Sequence, residues 1–124
     1  VTIIAAGLEV AESLKAADIL AEEGIDAAVV DMFTIKPIDE ELIVQCAEKT
    51  GAIVTAENHQ VIGGLGSAVA EVLGEHVPVP MERVGVKGIF GEVGKQDYLM
   101  ERFQLTAPYI AETARQAVKR KQGK

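Results

Sequence analysis

Ala52-Ile-Val-Thr-Ala-Glu-Asn-His-Gln-Val-Ile-Gly-Gly-Leu-Gly-Ser-Ala-Val-Ala-Glu-Val-Leu73 holds a strand, a glycine-rich turn and a helix in one unbroken stretch. The apolar run from Ala52 to Ala56 is too short for a helix and is bounded by Gly51 and by polar residues, so it reads as a buried strand. After Gly63, Gly64 and Gly66, the apolar residues Leu65, Ala68, Val69, Val72 and Leu73 recur at helical spacing. Free backbone N–H groups and the helix dipole converge at such a junction, so it is a common place for a phosphate. The turn is therefore either a ligand site or a tight packing turn.

The same alternation extends in both directions. Val1 to Ala6 is a continuous apolar run broken at Gly7, and reads as a first buried strand. Val10, Leu14, Ala17 and Ala21, flanked by Ala16, Ile19 and Leu20, give the apolar face of a helix that Gly24 ends. Ile25 to Met32 is a second strand centred on Ala27-Ala-Val-Val30. Pro37 punctuates, and Asp39 is a good N-cap for a helix carrying Leu42, Ile43, Cys46 and Ala47 and stopped at Gly51. Val77-Pro-Val-Pro80 is an extended connection, and Met81 to Val86 alternates into a fourth strand. A loop from Lys87 to Gln96 and a short helix around Tyr98 to Phe103 follow. Thr106 then caps a last helix carrying Tyr109, Ile110, Ala114, Ala117 and Val118, with Pro108 in its first turn, where proline is tolerated.

Apolar strands alternating with helices predict a single α/β domain over residues 1–124, a three-layer α/β/α arrangement on a mainly parallel sheet of order 2-1-3-4. In that order a crevice opens between the turn at Gly7-Leu8-Glu9 and the turn from Glu57 to Gly66, the switch point where open α/β folds bind ligands.

A formal net charge of −7 argues against a nucleic-acid or acidic-membrane surface. Lys119, Arg120, Lys121 and Lys124 form a basic tail, read as cations complementing the dipole at a helix end. Cys46 is the only cysteine, so no disulfide framework or zinc spacing is possible and a reducing cytoplasm is the natural home. No signal peptide or membrane-length apolar run is present. Val1, which is not a methionine, falls inside a strand pattern, and the chain is expected to be a piece of a longer protein.

Gly64-Leu-Gly66-Ser-Ala-Val69 lacks the third glycine of a dinucleotide fingerprint and follows the third strand instead of the first; no Gly-Lys-Ser/Thr of a P-loop occurs. Glu57 and His59 could form a proton-transferring pair, but no nucleophile accompanies them, and a hydrogen-bonding or interface histidine is the favoured reading. His76 lies at a helix end and is read as solvated. Asp31, at the end of the second strand, is read as structural. No His/Asp/Glu cluster has metal-ligand spacing, and Ser13 and Ser67 stand in no nucleophile elbow.

Val1-Thr-Ile-Ile-Ala-Ala-Gly7, Asp31-Met-Phe-Thr-Ile-Lys-Pro-Ile-Asp39, Thr55-Ala-Glu-Asn-His-Gln-Val-Ile-Gly-Gly-Leu-Gly-Ser-Ala68 and Phe90-Gly-Glu-Val-Gly94 resemble, in this order and spacing, the C-terminal domain of transketolases. They are closest to the C-terminal section of the split bacterial and archaeal form. The same domain ends deoxyxylulose-phosphate synthase and the beta subunits of 2-oxoacid dehydrogenases; Phe90–Gly94 followed by Leu105-Thr106 favours transketolase. The resemblance implies a cytoplasmic transferase of the pentose phosphate pathway that moves a two-carbon ketol unit between sugar phosphates, using thiamine diphosphate and magnesium. In that family the cofactor lies between pyrophosphate- and pyrimidine-binding domains, across a homodimer interface. The present stretch is similar to the third domain, which binds no cofactor. Gly-Asp-Gly, which opens the family's metal–pyrophosphate motif, is absent. The resemblance therefore carries over no catalytic, cofactor or metal residue, and implies a chain that is inactive alone and serves assembly and dimer stability. Asn58, His59, Gly63, Gly64 and Leu65 are the candidate interface with the neighbouring domain or dimer partner. The family's antiparallel edge strand is also missing, so an exposed sheet edge is expected on the first- or second-strand side. The rival reading is a stand-alone anion- or nucleotide-binding module using the helix N-terminus at Gly64–Ser67.

Overall fold

The computed structural model describes residues 1–32, 38–60, 64–86 and 105–123, with 58–60 and 86 described as backbone. Its elements are β1 (Thr2–Ala5), α1 (Glu9–Glu22), β2 (Ala28–Asp31), α2 (Glu40–Thr50), β3 (Ile53–Gln60), α3 (Leu65–His76), β4 (Met81–Val86) and α4 (Ala107–Gln122). The expected loop at 87–96 and short helix around 98–103 lie outside the described residues.

The strands form a parallel sheet of order β2-β1-β3-β4, as the sequence predicts. Side chains alternate across it. Val1, Ile3, Ala5, Ala52, Val54 and Ala56 point into one buried cluster with Ala16 and Leu20 of α1 and Ile110, Ala111, Ala114 and Ala117 of α4. Ile4 and Ile53 point into the opposite cluster, with Ile43 and Ala47 of α2 and Leu65, Val69, Val72 and Leu73 of α3. The sheet thus separates two apolar cores, which is why its inner strands read as unbroken apolar runs instead of an in–out alternation. At the edge, Ala28 and Asp31 of β2 are exposed, in keeping with an open edge on the second-strand side.

Punctuation matches the sequence. Gly24 and Gly51 adopt φ of 80° and 73°, the left-handed region glycine favours after a helix. Asp39 accepts from the Leu42 N–H at 3.1 Å as N-cap of α2. Two expectations differ. β3 does not stop at Ala56 but continues to Gln60, because β4 keeps pairing with it, through a register irregularity, up to Gln60 opposite Val86. The buried face of α1 is Glu9, Ser13, Ala16 and Leu20, whereas Leu14 is 54% exposed. That face is turned by one residue from the predicted Val10, Leu14, Ala17 and Ala21. Both sets have the same four-three-four spacing, so periodicity fits either. The short link from β1 sets the phase.

The basic tail has structural partners. Lys121 Nζ donates to the Thr50 carbonyl at the end of α2 at 2.8 Å, and Arg120 Nη1 donates to the Met81 carbonyl at 2.8 Å and to Glu82 at 2.6 Å. These contacts tie α4 to its neighbours.

Candidate functional site

β3 delivers Ile53, Thr55 and Glu57 to the face of the sheet that α3 covers. Glu57 is 1% exposed. Its Oε1 accepts from the Leu65 N–H at 2.8 Å and its Oε2 from the Gly66 N–H at 2.7 Å. A helix start leaves N–H groups without intrahelical acceptors and carries positive potential, so a carboxylate there is held by charge-assisted hydrogen bonds. The position where a bound phosphate would sit is occupied by the chain's own side chain. An anion entering here would have to displace a covalently tethered competitor, and this removes the support for the binding-module reading.

Gly66 is required by the same arrangement. A Cβ built on it would lie 3.1 Å from Arg83 Cδ, 3.1 Å from Thr55 Oγ1 and 3.3 Å from Glu57 Oε2. Any side chain would push between the helix start and its cap. The glycine allows close packing of α3 against β3 and β4. Thr55 Oγ1, buried beside it, has no hydrogen-bond partner among the described residues.

Of the candidate interface residues, Asn58 and His59 lie on the last part of β3 and are described as backbone only, and Gly63 lies outside the described residues. Gly64 is the half-buried N-cap of α3, with extended φ −99° and ψ −150°. Leu65 is fully buried in the α2–α3 core, so its side chain anchors the turn from below. Asp31 is exposed at the end of β2. His76 ends α3 and lies 3.4 Å from Glu40 at the start of α2, on the surface.

A second set of carboxylates lies at the start of α1, unsignalled by any motif. Glu12 Oε1 accepts from the Ala107 N–H at 2.8 Å, capping α4 from another helix in place of the Thr106 side chain, which makes no cap bond. Glu9 and Ser13 are fully buried, and neither Glu9 carboxyl oxygen nor Ser13 Oγ has a hydrogen-bond partner among the described residues. Burial, with the Glu12 charge nearby, pushes the Glu9 carboxyl up from its ordinary 4.5 to about 7. Glu9 and Glu12, three residues apart on one helix, form no motif, so only the position of α4 discloses these roles.

Thiamine diphosphate and a divalent cation do not fit the groups assembled here. The amides of α3 that could cradle a diphosphate are taken by Glu57, and the described residues include no cluster of three His, Cys, Asp or Glu able to hold a metal ion.

Residues 1–110 match the family model for the transketolase C-terminal domain. The chain is 58% identical over 121 residues to a 6-deoxy-6-sulfo-D-fructose transketolase subunit of Clostridium sp. (strain MSTE9), covering 98% of this chain and 38% of that protein. It is 44% identical over 120 residues to a putative transketolase C-terminal section of Methanocaldococcus jannaschii, covering 96% and 37%. Among solved structures, a split-gene transketolase described as an inactive beta4 tetramer superposes with a TM-score of 0.93 at 52% identity, over 97% of this chain and 39% of that one. The chain thus spans well under half the length of the relatives it matches.

Proposed function

Because the chain belongs to the transketolase C-terminal domain family, we propose that it is the non-catalytic, assembly-directing domain of an enzyme that transfers a two-carbon ketol unit between sugar phosphates. The observation that carries this reading is the Glu57 cap. The junction at the start of α3, which has the form of an anion site, is closed by an internal carboxylate, and the helix that follows the turn is anchored by Leu65 in the core. A turn held from below and rich in glycine lets another backbone approach closely. The stretch from Asn58 to Leu65, with Asn58, His59, Gly63, Gly64 and Leu65 as its candidate residues, is the contact with the pyrimidine-binding domain or with the second subunit of a homodimer.

Thiamine diphosphate and magnesium are held by the pyrophosphate- and pyrimidine-binding domains of the parent, which works in the cytoplasm, in the pentose phosphate pathway. The chemistry the cofactor supplies, a carbanion-stabilising centre, then lies wholly in those domains. Support for dependence on another chain comes from the solved split-gene relative, whose beta4 assembly is inactive.

The test is ketol transfer from xylulose 5-phosphate to ribose 5-phosphate with thiamine diphosphate and magnesium. The chain alone is expected to be inactive and to raise activity only when mixed with, or joined to, the cofactor-binding part. Turnover by the chain alone overturns the reading. In the parent enzyme, Gly64→Phe is expected to weaken dimerisation while the domain stays folded, because the extended backbone at Gly64 accepts a side chain. An intact, active dimer in that variant removes the turn from the interface.

A further inference from the structure

A groove of about 310 Å³ runs between the second half of α3 and the start of β4. α3 contributes Ala70, Leu73 and Gly74, and Val79 and Met81 continue its apolar floor. Two guanidinium groups line it, and they differ. Arg120 reaches the sheet edge from α4 and is spoken for by the Met81 carbonyl and Glu82. Arg83 is half-buried and makes no hydrogen bond or ion pair among the described residues. Its stem lies against Gly66, 3.1 Å from where a Cβ would stand.

A half-buried guanidinium with open donors is costly to leave unpaired, because its lost hydration is not replaced. Apolar walls with one oriented cation are the make-up of a small-molecule site, and the volume falls at the small end of such sites. We propose that this groove binds a small organic oxyanion, a carboxylate or phosphate monoester. Its charged group is received by the planar fork of Arg83 and its short apolar body rests on Leu73, Val79 and Met81. The site is independent of the assembly role. Arg83 and the Glu57 cap converge beside Gly66, 3.1 and 3.3 Å from where its Cβ would stand, so a ligand on Arg83 fixes the side chain packed on the first turn of α3.

The test is an NMR titration of the ¹⁵N-labelled chain with phenyl phosphate and, separately, benzoate, with benzyl alcohol as the uncharged control. Saturable shifts at Ala70, Gly74 and Arg83 are expected from at least one anion at millimolar concentration and not from the alcohol. Saturation by one anion alone identifies whether phosphate or carboxylate is the ligand class. Arg83→Gln is expected to weaken binding about tenfold or more. Arg83→Lys, which keeps the stem and charge, falls between and guards against a folding effect. Lys119→Gln, on the exposed end of α4, leaves binding unchanged. No saturable shift, an equal response to benzyl alcohol, or undiminished binding by a folded Arg83→Gln or Arg83→Lys chain overturns the proposal.

Discussion

Glu57 and Gly66 act as one unit. The carboxylate accepts from the Leu65 and Gly66 amides, and the missing side chain at Gly66 leaves it room. Gly66→Ala sets two effects against each other. Alanine gains up to about 1 kcal/mol of helix propensity, and the introduced methyl is crowded by Thr55 Oγ1 and Arg83 Cδ at 3.1 Å and by Glu57 Oε2 at 3.3 Å. The arginine stem can swing away, but the other two neighbours are held, one in the strand and one by the two amides. Overpacking of this kind costs about 1–3 kcal/mol, so the variant is expected to be destabilised by roughly 1 kcal/mol net. Chemical denaturation measures this; equal or higher stability would mean that the cap moves freely. The run from Glu57 to Gly66 was legible as a strand-to-helix junction, and its need for glycine was legible too. That Glu57 supplies the anion was not, because strand alternation puts residue 57 on the α3 side only once α3 is known to lie there.

At the scale of elements, existence and order could be read directly, and phase could not. α1 is a helix under either register, but the sequence favours a face through Leu14 flanked by Ala16, Ile19 and Leu20, and the fold buries Ala16 and Leu20 while leaving Leu14 exposed. Leu14 separates these readings. Leu20→Ala is expected to cost about 2–5 kcal/mol, the usual range for a buried leucine. Leu14→Ser, at a position 54% exposed, is expected to change stability by less than about 0.5 kcal/mol. Thermal melts of the two variants decide it, and a large loss at Leu14 would restore the predicted face. The start of α1 also serves α4. Glu12 faces the first amide of that helix, and the Thr106 side chain leaves the role to it. Local capping patterns cannot show this, since the acceptor comes from 95 residues away. Asp39, whose bond to Leu42 spans 3 residues, was readable for the opposite reason.

For the molecule as a whole, the buried and unpartnered Glu9 ties stability to pH. Its folded value of about 7 lies above the ordinary 4.5, so the folded chain holds a proton that the unfolded chain has already lost. The stabilising contribution is complete below 4.5, declines as pH rises, and is lost once pH passes 7. The difference between these values corresponds to about 3 kcal/mol. Glu9→Gln is expected to flatten this decline, matching the parent sequence near about pH 4 and exceeding it near about pH 8. Unfolding free energy measured across that range checks it, and parallel curves for the two chains would mean that Glu9 finds a partner when ionised.

The sequence by itself determined the layers and the strand order, because apolar runs, glycine stops and caps act over a few residues and are written in contiguous stretches. The four quoted motifs predicted a transketolase C-terminal domain, and the family match covers residues 1–110. Only the tertiary structure decided which acids are used and how. Glu57 closes the anion position and Glu12 caps a distant helix; Glu9 is buried and Arg83 lines a groove, each without a partner among the described residues. Each depends on what an approaching helix brings within hydrogen-bond reach. A carboxylate or guanidinium looks the same in the sequence whether its counterpart is water, a backbone amide or nothing, and packing alone makes the choice.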